Sequence, residues 1–463
     1  MNYDLKTKSS LKINMGLYLV AVIFSILVLN LSSFYDYKRW AAQSVFVYGG
    51  AFVVTGLLYT VILFHRLTKE AKNSFPRSLY INQAITKVGS IVENFSFQFY
   101  FQVVLAFLVF VGVLIIPLTY NVVKLDQHTL PIGQNGAYVQ PEVQVIEAAG
   151  KKLDHGKGPY VAPTKKYGTS VLAPPKPMPV NDYFAYLPGM SFFGLANSDE
   201  VPKPLTDARW YFTLFGLVSF LIAIILLDHG RLFKLSCFIA LGLFPTATLT
   251  LATGGDDIPV IGLMVLVAVL LNRNQLILAG LTLGFAMSLK FTAWLMFIAL
   301  IYTLFKMFSV KDVFKVLVSA GVVLAPILTL GIYNDVYGFI TNAIRFPLGL
   351  AGTSSPADSA LPGHLITSHF SHYKGLILLF LVAIFFLSCV AFLLKFPPNN
   401  ISTMLIDVSF IMTTAILLAP NTRFGYLNYP VDLLILGIVL RFADGKNREK
   451  EILKSENVEL TTV

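Results

Sequence analysis

Twelve apolar runs divide this chain, and they leave room for one kind of fold. They span about residues 13–31, 44–64, 99–118, 210–228, 235–252, 258–271, 275–289, 293–305, 313–333, 375–394, 402–419 and 429–441. A run of about 20 apolar residues is long enough to cross a bilayer as a helix. Inside lipid only helices and closed barrels satisfy their own backbone. Composition agrees: 13% of the residues are charged and mean hydropathy is +0.70, where a soluble domain carries about 25% charged residues. The sequence therefore predicts an all-α polytopic membrane bundle of about 12 spans. The runs at 258–271, 275–289, 293–305 and 429–441 are short, which predicts tilted, re-entrant or broken helices lining a protein cavity.

Charge sets the expected orientation. With the N-terminus in the cytoplasm, one set of short loops holds 20 Lys and Arg and the opposite set holds 6. Cytoplasmic loops are the basic ones, so both termini are expected inside, in a multi-pass protein of the cell membrane. The net charge of +10 follows from this placement and does not imply nucleic acid. Cys237 and Cys389 fall in apolar runs and exclude a disulfide framework. The first apolar run shows no signal-peptide cleavage site. The expected division is residues 1–98 as an N-terminal hairpin with a cytoplasmic loop, 99–442 as the main membrane domain, and 443–463 as a cytoplasmic tail. Within the main domain, 119–209 is one long extracytoplasmic loop. It contains an amphipathic stretch, 143–153, expected to lie on the membrane surface.

This orientation gathers the unusual polar segments on the outer side. They are Y-D-Y-K-R-W (35–40), the loop 119–209, G-G-D-D (254–257), Lys290, the loop 334–374 and N-T-R-F-G-Y-L-N-Y-P (421–430). A charge at the bilayer centre costs about 2.5–3.5 kcal/mol, so Asp256 and Asp257 are expected at a boundary or in a polar cavity. Plainer readings exist: a solvated helix N-terminus for the two acids, snorkelling for Lys290, interfacial anchoring for Arg423. Gly280 and Gly284 form a G-x-x-x-G that predicts close helix packing. No P-loop, H-E-x-x-H or clustered His/Cys pattern occurs. His364, His369 and His372 lie in one outer loop and are read as solvated, so no metal site is expected.

Acids, cations and aromatic rings on one outer surface suit chemistry on a lipid-linked phosphate. Cations stabilise a departing phosphate, and a carboxylate takes the proton of an attacking hydroxyl. Four segments carry a resemblance: E-A-A-G-K-K-L-D-H-G-K-G-P-Y (147–160), F-A-Y-L-P-G-M-S-F-F-G-L (184–195), G-G-D-D-I-P-V (254–260) and A-G-L-T-L-G-F-A-M-S-L-K-F-T-A-W (279–294). In these the chain resembles the glycosyltransferase-C superfamily. Within it, the chain looks like the polyprenol-phosphate-mannose-dependent transferases of glycosyltransferase family 87 and related actinobacterial membrane proteins. The resemblance implies a glycosyltransferase-C-like fold. It also implies transfer of a sugar, mannose or another hexose or pentose, from a polyprenyl-phosphate donor to a cell-envelope glycolipid or glycan, with inversion and with no metal or other cofactor.

The family's catalytic Asp sits in the first large outer loop after a membrane helix. If that helix is 99–118, the candidates are Asp126, Glu142 and Glu147; if it is 13–31, the candidate is Asp36. Asp256 and Asp257 are expected to orient the acceptor or the base. Lys290 and Arg423 are expected to hold the lipid phosphate, with Tyr186 and Trp294 offering faces to sugar or headgroup. A transporter or lipid flippase, with carboxylates near the midplane between repeated halves, and an inactive envelope scaffold are the competing classes. No repeat is detectable, which counts against a transporter.

Overall fold

The computed structural model describes residues 2–31, 35–70, 80–126, 141–160, 183–197, 201–202, 205–227, 230–243, 255–351, 361–421 and 424–441. Among these the chain is helical without strands. Seven helices are long and apolar enough to cross a membrane: Leu11–Asn30, Lys38–Leu67, Ser96–Tyr120, Ala208–Leu226, Val310–Tyr333, Ser371–Lys395 and Ile401–Leu418. Four shorter apolar helices accompany them, Phe233–Gly242, Ile258–Asn272, Leu276–Leu289 and Thr292–Met307. A further helix covers 428–441. The protein is a multi-pass helical membrane bundle, and these twelve helices fall on the apolar runs.

The chain forms two compact units, Met1–Asn121 with Asp228–Ala252, and Val122–Leu227 with Thr253–Val463. In the first, α1 (Asn2–Leu31) and α2 (Tyr35–Glu70) form a hairpin, joined by α3 (Tyr80–Glu93) and α4 (Phe95–Phe110). A π-turn at Val111–Ile115 leads from α4 into α5 (Ile116–Asp126). Its apolar contacts are pinned by buried polar ones. Asn14 donates to Gln102 across 3.3 Å, and Glu93 meets both His65 and Arg66. Such interhelical bonds hold helices together where lipid gives no hydrophobic drive.

The second unit begins with α6 (Pro141–Asp154), a short 3-10 helix (Pro188–Gly194) and α7 (Ala208–Leu226). After α8 (Arg231–Gly242), which belongs to the first unit, come α9 (Ile258–Asn272), α10 (Leu276–Leu289), α11 (Thr292–Met307) and α12 (Val310–Asn334). Small residues set the spacing. A Cβ on Gly216 would lie 2.5 Å from Ile258 Cγ2, so α7 and α9 run in close contact. A Cβ on Gly280 would lie 2.0 Å from Ser319 Oγ, and one on Gly284 2.2 Å from the Ala320 carbonyl oxygen. The G-x-x-x-G is thus the α10 seam against α12, as its pattern predicts.

Helix length decides where the site lies. With 15 and 14 residues, α9 and α10 are only about 22 and 21 Å long, against a hydrocarbon core of about 30 Å. Their far ends meet at a turn where Asn274 takes a left-handed φ of 55°. Their near ends, at Asp257 and Lys290, stop below the level reached by α12. By the Gly280 and Gly284 contacts, residues 326–334 of α12 rise past α10 by roughly 13 Å. The resulting recess is roofed by the strap 183–194. Gly331 abuts Pro188 and Gly189 abuts Ser288, and the Leu187 N–H donates to the Leu289 carbonyl at 3.2 Å.

Two expectations about the long loop change here. The amphipathic stretch is a helix, but Val143, Val145, Ile146 and Ala149 are buried, and Gly150 lies against the backbone of Gly194. Its apolar stripe is covered by protein. The aromatic Pro188–Gly189 segment is the buried 3-10 strap, and entry to the next span falls at Ala208. The segment 161–182, with its proline-rich patch, and the tail 443–463 lie outside the described residues.

Candidate active site

The recess holds a buried ion cluster. Lys290 is the residue that ends α10, and its ammonium lies 3.1 Å from both carboxylate oxygens of Asp256. It also bonds Asp257 Oδ1, at 2.5 Å. Asp256 and Asp257 immediately precede α9, whose first turn is fixed by Pro259. The α9–α10 hairpin thus returns Lys290 to the acids 33 and 34 residues earlier. Asp256 is 4% exposed and Lys290 8%, so the ions are desolvated and each charge depends on its partner.

Tyrosines wall the cluster. Tyr429 donates to Asp257 Oδ1 at 2.7 Å. The ring of Tyr186 lies 5.3 Å and that of Tyr426 5.1 Å from the ammonium, a cation–π arrangement. Tyr186 is set by its strap. Its carbonyl accepts from Tyr160 Oη at 2.6 Å, and the neighbouring Phe184 N–H donates to Asn342 Oδ1 at 2.9 Å.

The electrostatics follow from burial. Burial raises the Asp256 carboxyl to about 6; Lys290 opposes this, while Asp257 and Glu142 add to it. Burial works against the Lys290 ammonium, but Asp256 and Asp257 outweigh it and hold its pKa well above the ordinary value. Burial, with Asp256 and Glu142 nearby, keeps the Tyr186 phenol protonated. Glu142, in the first turn of α6, is therefore close enough for its charge to act on both Asp256 and Tyr186.

The other loop acid has a different place. Glu147 accepts from the Ala208 N–H at 2.9 Å, beside Asp207, whose carboxylate caps α7 and pairs with the fully buried Arg209 at 2.7 Å. Burial and Asp207 raise the Glu147 carboxyl to about 8, against the Ala208 N–H and Arg209. The folded state thus binds this proton more tightly than the unfolded chain, where the value is 4.5. Its stabilisation is complete below about pH 4.5 and is lost as pH rises through about 8. Thermal unfolding in detergent should show stability falling over that window, and Glu147→Gln, which keeps the acceptor oxygen, should flatten the profile. An unchanged slope in the variant would assign the dependence elsewhere.

Of the residues read from sequence, the structure brings together Asp256, Asp257, Lys290, Tyr186 and Glu142. It places Glu147 at the head of α7. The Trp294 indole N–H is bonded to the Met287 carbonyl at 2.9 Å, beside Phe291. Arg423 and the side chains of Asp36 and Asp126 lie outside the described residues. Sequence reasoning did not single out Tyr160, Tyr426, Tyr429 or Asn342. Only the tyrosine-rich run 421–430 hinted at two of them. No group of three or more His, Cys, Asp or Glu among the described residues has a metal-binding arrangement; Lys290 occupies the position between the two aspartates.

No protein-family model matches the chain, and no curated protein matches it. Among solved structures it is similar to the crystal structure of ArnT from Cupriavidus metallidurans bound to undecaprenyl phosphate, with 15% identity and a TM-score of 0.42. The match covers 70% of this chain and 59% of the ArnT chain, so this chain spans about three-fifths of that protein's length.

Proposed function

We propose that the protein is a membrane glycosyltransferase that moves a sugar from a polyprenyl-phosphate donor to a cell-envelope acceptor. The observation that supports this is the recessed Asp256–Lys290–Asp257 cluster, walled by tyrosines and facing one acid, Glu142, from a loop helix. In this reading Glu142 takes the proton of the acceptor hydroxyl as its oxygen attacks the anomeric carbon. The bond from that carbon to the phosphate oxygen breaks, and polyprenyl phosphate leaves with the electron pair. Asp256 and Asp257, held by Lys290 and Tyr429, orient the acceptor. Lys290, expected from the sequence to share the lipid phosphate with Arg423, is committed to Asp256 and Asp257, so Arg423 alone is the proposed phosphate cation. The tyrosine faces stack on the sugar. The sequence resemblance described above points the same way and suggests mannose or a related sugar, with inversion and without a metal.

The test is turnover of polyprenyl-phosphate-linked sugars by the purified, reconstituted protein. Release of polyprenyl phosphate that depends on acceptor and on Glu142 is the expected result. A protein that consumes no lipid-linked sugar but moves a solute across vesicles in an Asp257-dependent way would be a transporter.

The proposed placement of the site outside the cell has its own check. Single cysteines at His155, exposed just after α6, and at Asn274, exposed at the opposite end of the α9–α10 hairpin, should differ in intact cells. An impermeant thiol reagent should label position 155 and not 274. The reverse pattern would turn the site toward the cytoplasm.

A further inference from the structure

Two separate stretches bring tyrosines to Lys290, and a third stretch holds both. The strap brings Tyr186. The turn after the Ile401–Leu418 helix leads to Tyr426, in a 3-10 turn (Phe424–Leu427), and then to Tyr429. The third stretch begins where α12 ends. Asp335 caps a short helix α13 (Val336–Phe339) by accepting from the Gly338 N–H at 2.7 Å, and a π-turn follows, Ile340–Arg345. This piece grips the strap. Phe339 meets Tyr160 edge-on at 5.4 Å, Asn342 Oδ1 accepts from the Phe184 N–H, and Phe346 stacks on Tyr183 at 4.4 Å.

The same stretch also grips the turn. The Asn421 side-chain amide donates to the Pro347 carbonyl at 2.8 Å and to the Phe346 carbonyl at 3.3 Å. A tight bend presents these carbonyls. The Gly349 N–H folds back onto the Phe346 carbonyl at 2.8 Å, and Gly349 takes a φ of 67°, which glycine adopts without steric cost. Further along, α14 (Pro362–His369) closes on the turn as well. His364 Nδ1 lies 2.9 Å from the Pro420 carbonyl. A carbonyl only accepts, so the ring hydrogen sits on Nδ1. A Cβ on Gly363 would strike the Leu418 and Ala419 carbonyls, so a glycine is what lets α14 approach. Phe346 is the junction, with its ring on the strap side and its carbonyl on the turn side. We infer that Asn421 and His364 are positioning residues of the buried cluster. Through Phe346 they lock the turn leading to Tyr426 against the strap bearing Tyr186, and so fix the gap that Lys290 and its two acids occupy. This role does not depend on which reaction the site performs.

The experiment uses the full chain in detergent and reads the acetylation rate of Lys290 with acetic anhydride, by mass spectrometry, beside the exposed Lys157 and Lys311. Lys290 should be protected in the parent. Asn421→Leu, which keeps the shape and removes the donors, and His364→Phe should each raise its rate about tenfold through local opening. The rates at Lys157 and Lys311 should not move. His364→Asn, which keeps an N–H near the Nδ1 position, should retain the protection. Asn342→Leu loosens the strap side. Combined with Asn421→Leu it should raise the rate no further than the larger single change, because one clasp is already open. Multiplied effects would mean two independent anchors and overturn the clasp. Protection unchanged in Asn421→Leu and His364→Phe would overturn it too, as would a rise seen only together with loss of the melting transition. On the transferase reading, kcat should fall about tenfold in Asn421→Leu with KM little changed, since misplacement is felt in the transition state. Lys290 deprotected as expected in a protein whose parent turns over no lipid-linked sugar would keep the clasp and remove the transferase. An active parent whose Lys290 stays protected in the variants would do the reverse.

Discussion

Replacing Lys290 with methionine should unfold the site and abolish the proposed sugar transfer together. The substitution keeps the volume and removes the ammonium that bonds both acids, leaving the buried Asp256 carboxylate and the half-buried Asp257 without it. Breaking a buried ion pair from one side costs about 3–5 kcal/mol, because the stranded charge has lost its water. A marked fall in the detergent melting temperature is therefore expected. Asp256 would regain protons more readily, so the fall should be smaller at acid pH, where the carboxylates neutralise. Adding Asp257→Asn to Lys290→Met removes one stranded charge and should restore much of the stability without restoring turnover. If the single variant melts like the parent, the cluster is more solvated than its burial implies. A plain snorkelling role for Lys290 would then stand.

On the transferase reading proposed above, Glu142→Gln should produce the opposite pattern, lost chemistry in an intact protein. A positioned general base contributes typically 10²–10⁴-fold, so turnover should fall by roughly that factor. The loss should lie in kcat, with KM little changed, because a base acts in the transition state more than in donor binding. Melting should stay close to the parent's, since glutamine preserves the shape of this half-buried side chain. Glu147→Gln is the control. Glu147 sits in the same helix at the head of α7, and its amide should retain most of the rate while changing the pH dependence of stability. Equal loss of rate in both variants would show that the whole of α6 is needed as a scaffold, and would withdraw the base assignment.

These two predictions separate residues that the sequence alone could not rank. Asp256, Asp257 and Lys290 stood out in it because charge is rare in apolar runs and expensive in lipid. Their pairing required the hairpin. A 14-residue α10 stops short of a full crossing, and that shortness, visible as a brief run, is what returns Lys290 to the acids rather than to bulk water. Glu142 and Glu147 looked equivalent on paper, two acids five residues apart beside one amphipathic stretch. The fold distinguishes them through which neighbour each faces, Asp256 and Tyr186 for one, Asp207 and the Ala208 N–H for the other.

The sequence by itself determined the spans, the helical class and the close-packing glycine face of α10, while the fold supplied α12 as its partner. Each follows from short-range rules: apolar run length, the absence of water for unpaired backbone in lipid, and glycines four residues apart on one helix face. Tertiary structure alone decided the contents of the recess. Tyr160 donates to the Tyr186 carbonyl, Asn342 accepts from the Phe184 N–H and Tyr429 donates to Asp257, single bonds between separate stretches that no periodicity encodes. The same holds for α6. Its amphipathic pattern fixed a helix with one apolar face, but a membrane surface and the backbone of Gly194 satisfy such a face equally well. The contact that chose between them is a glycine packed against a glycine, 44 residues apart in the chain.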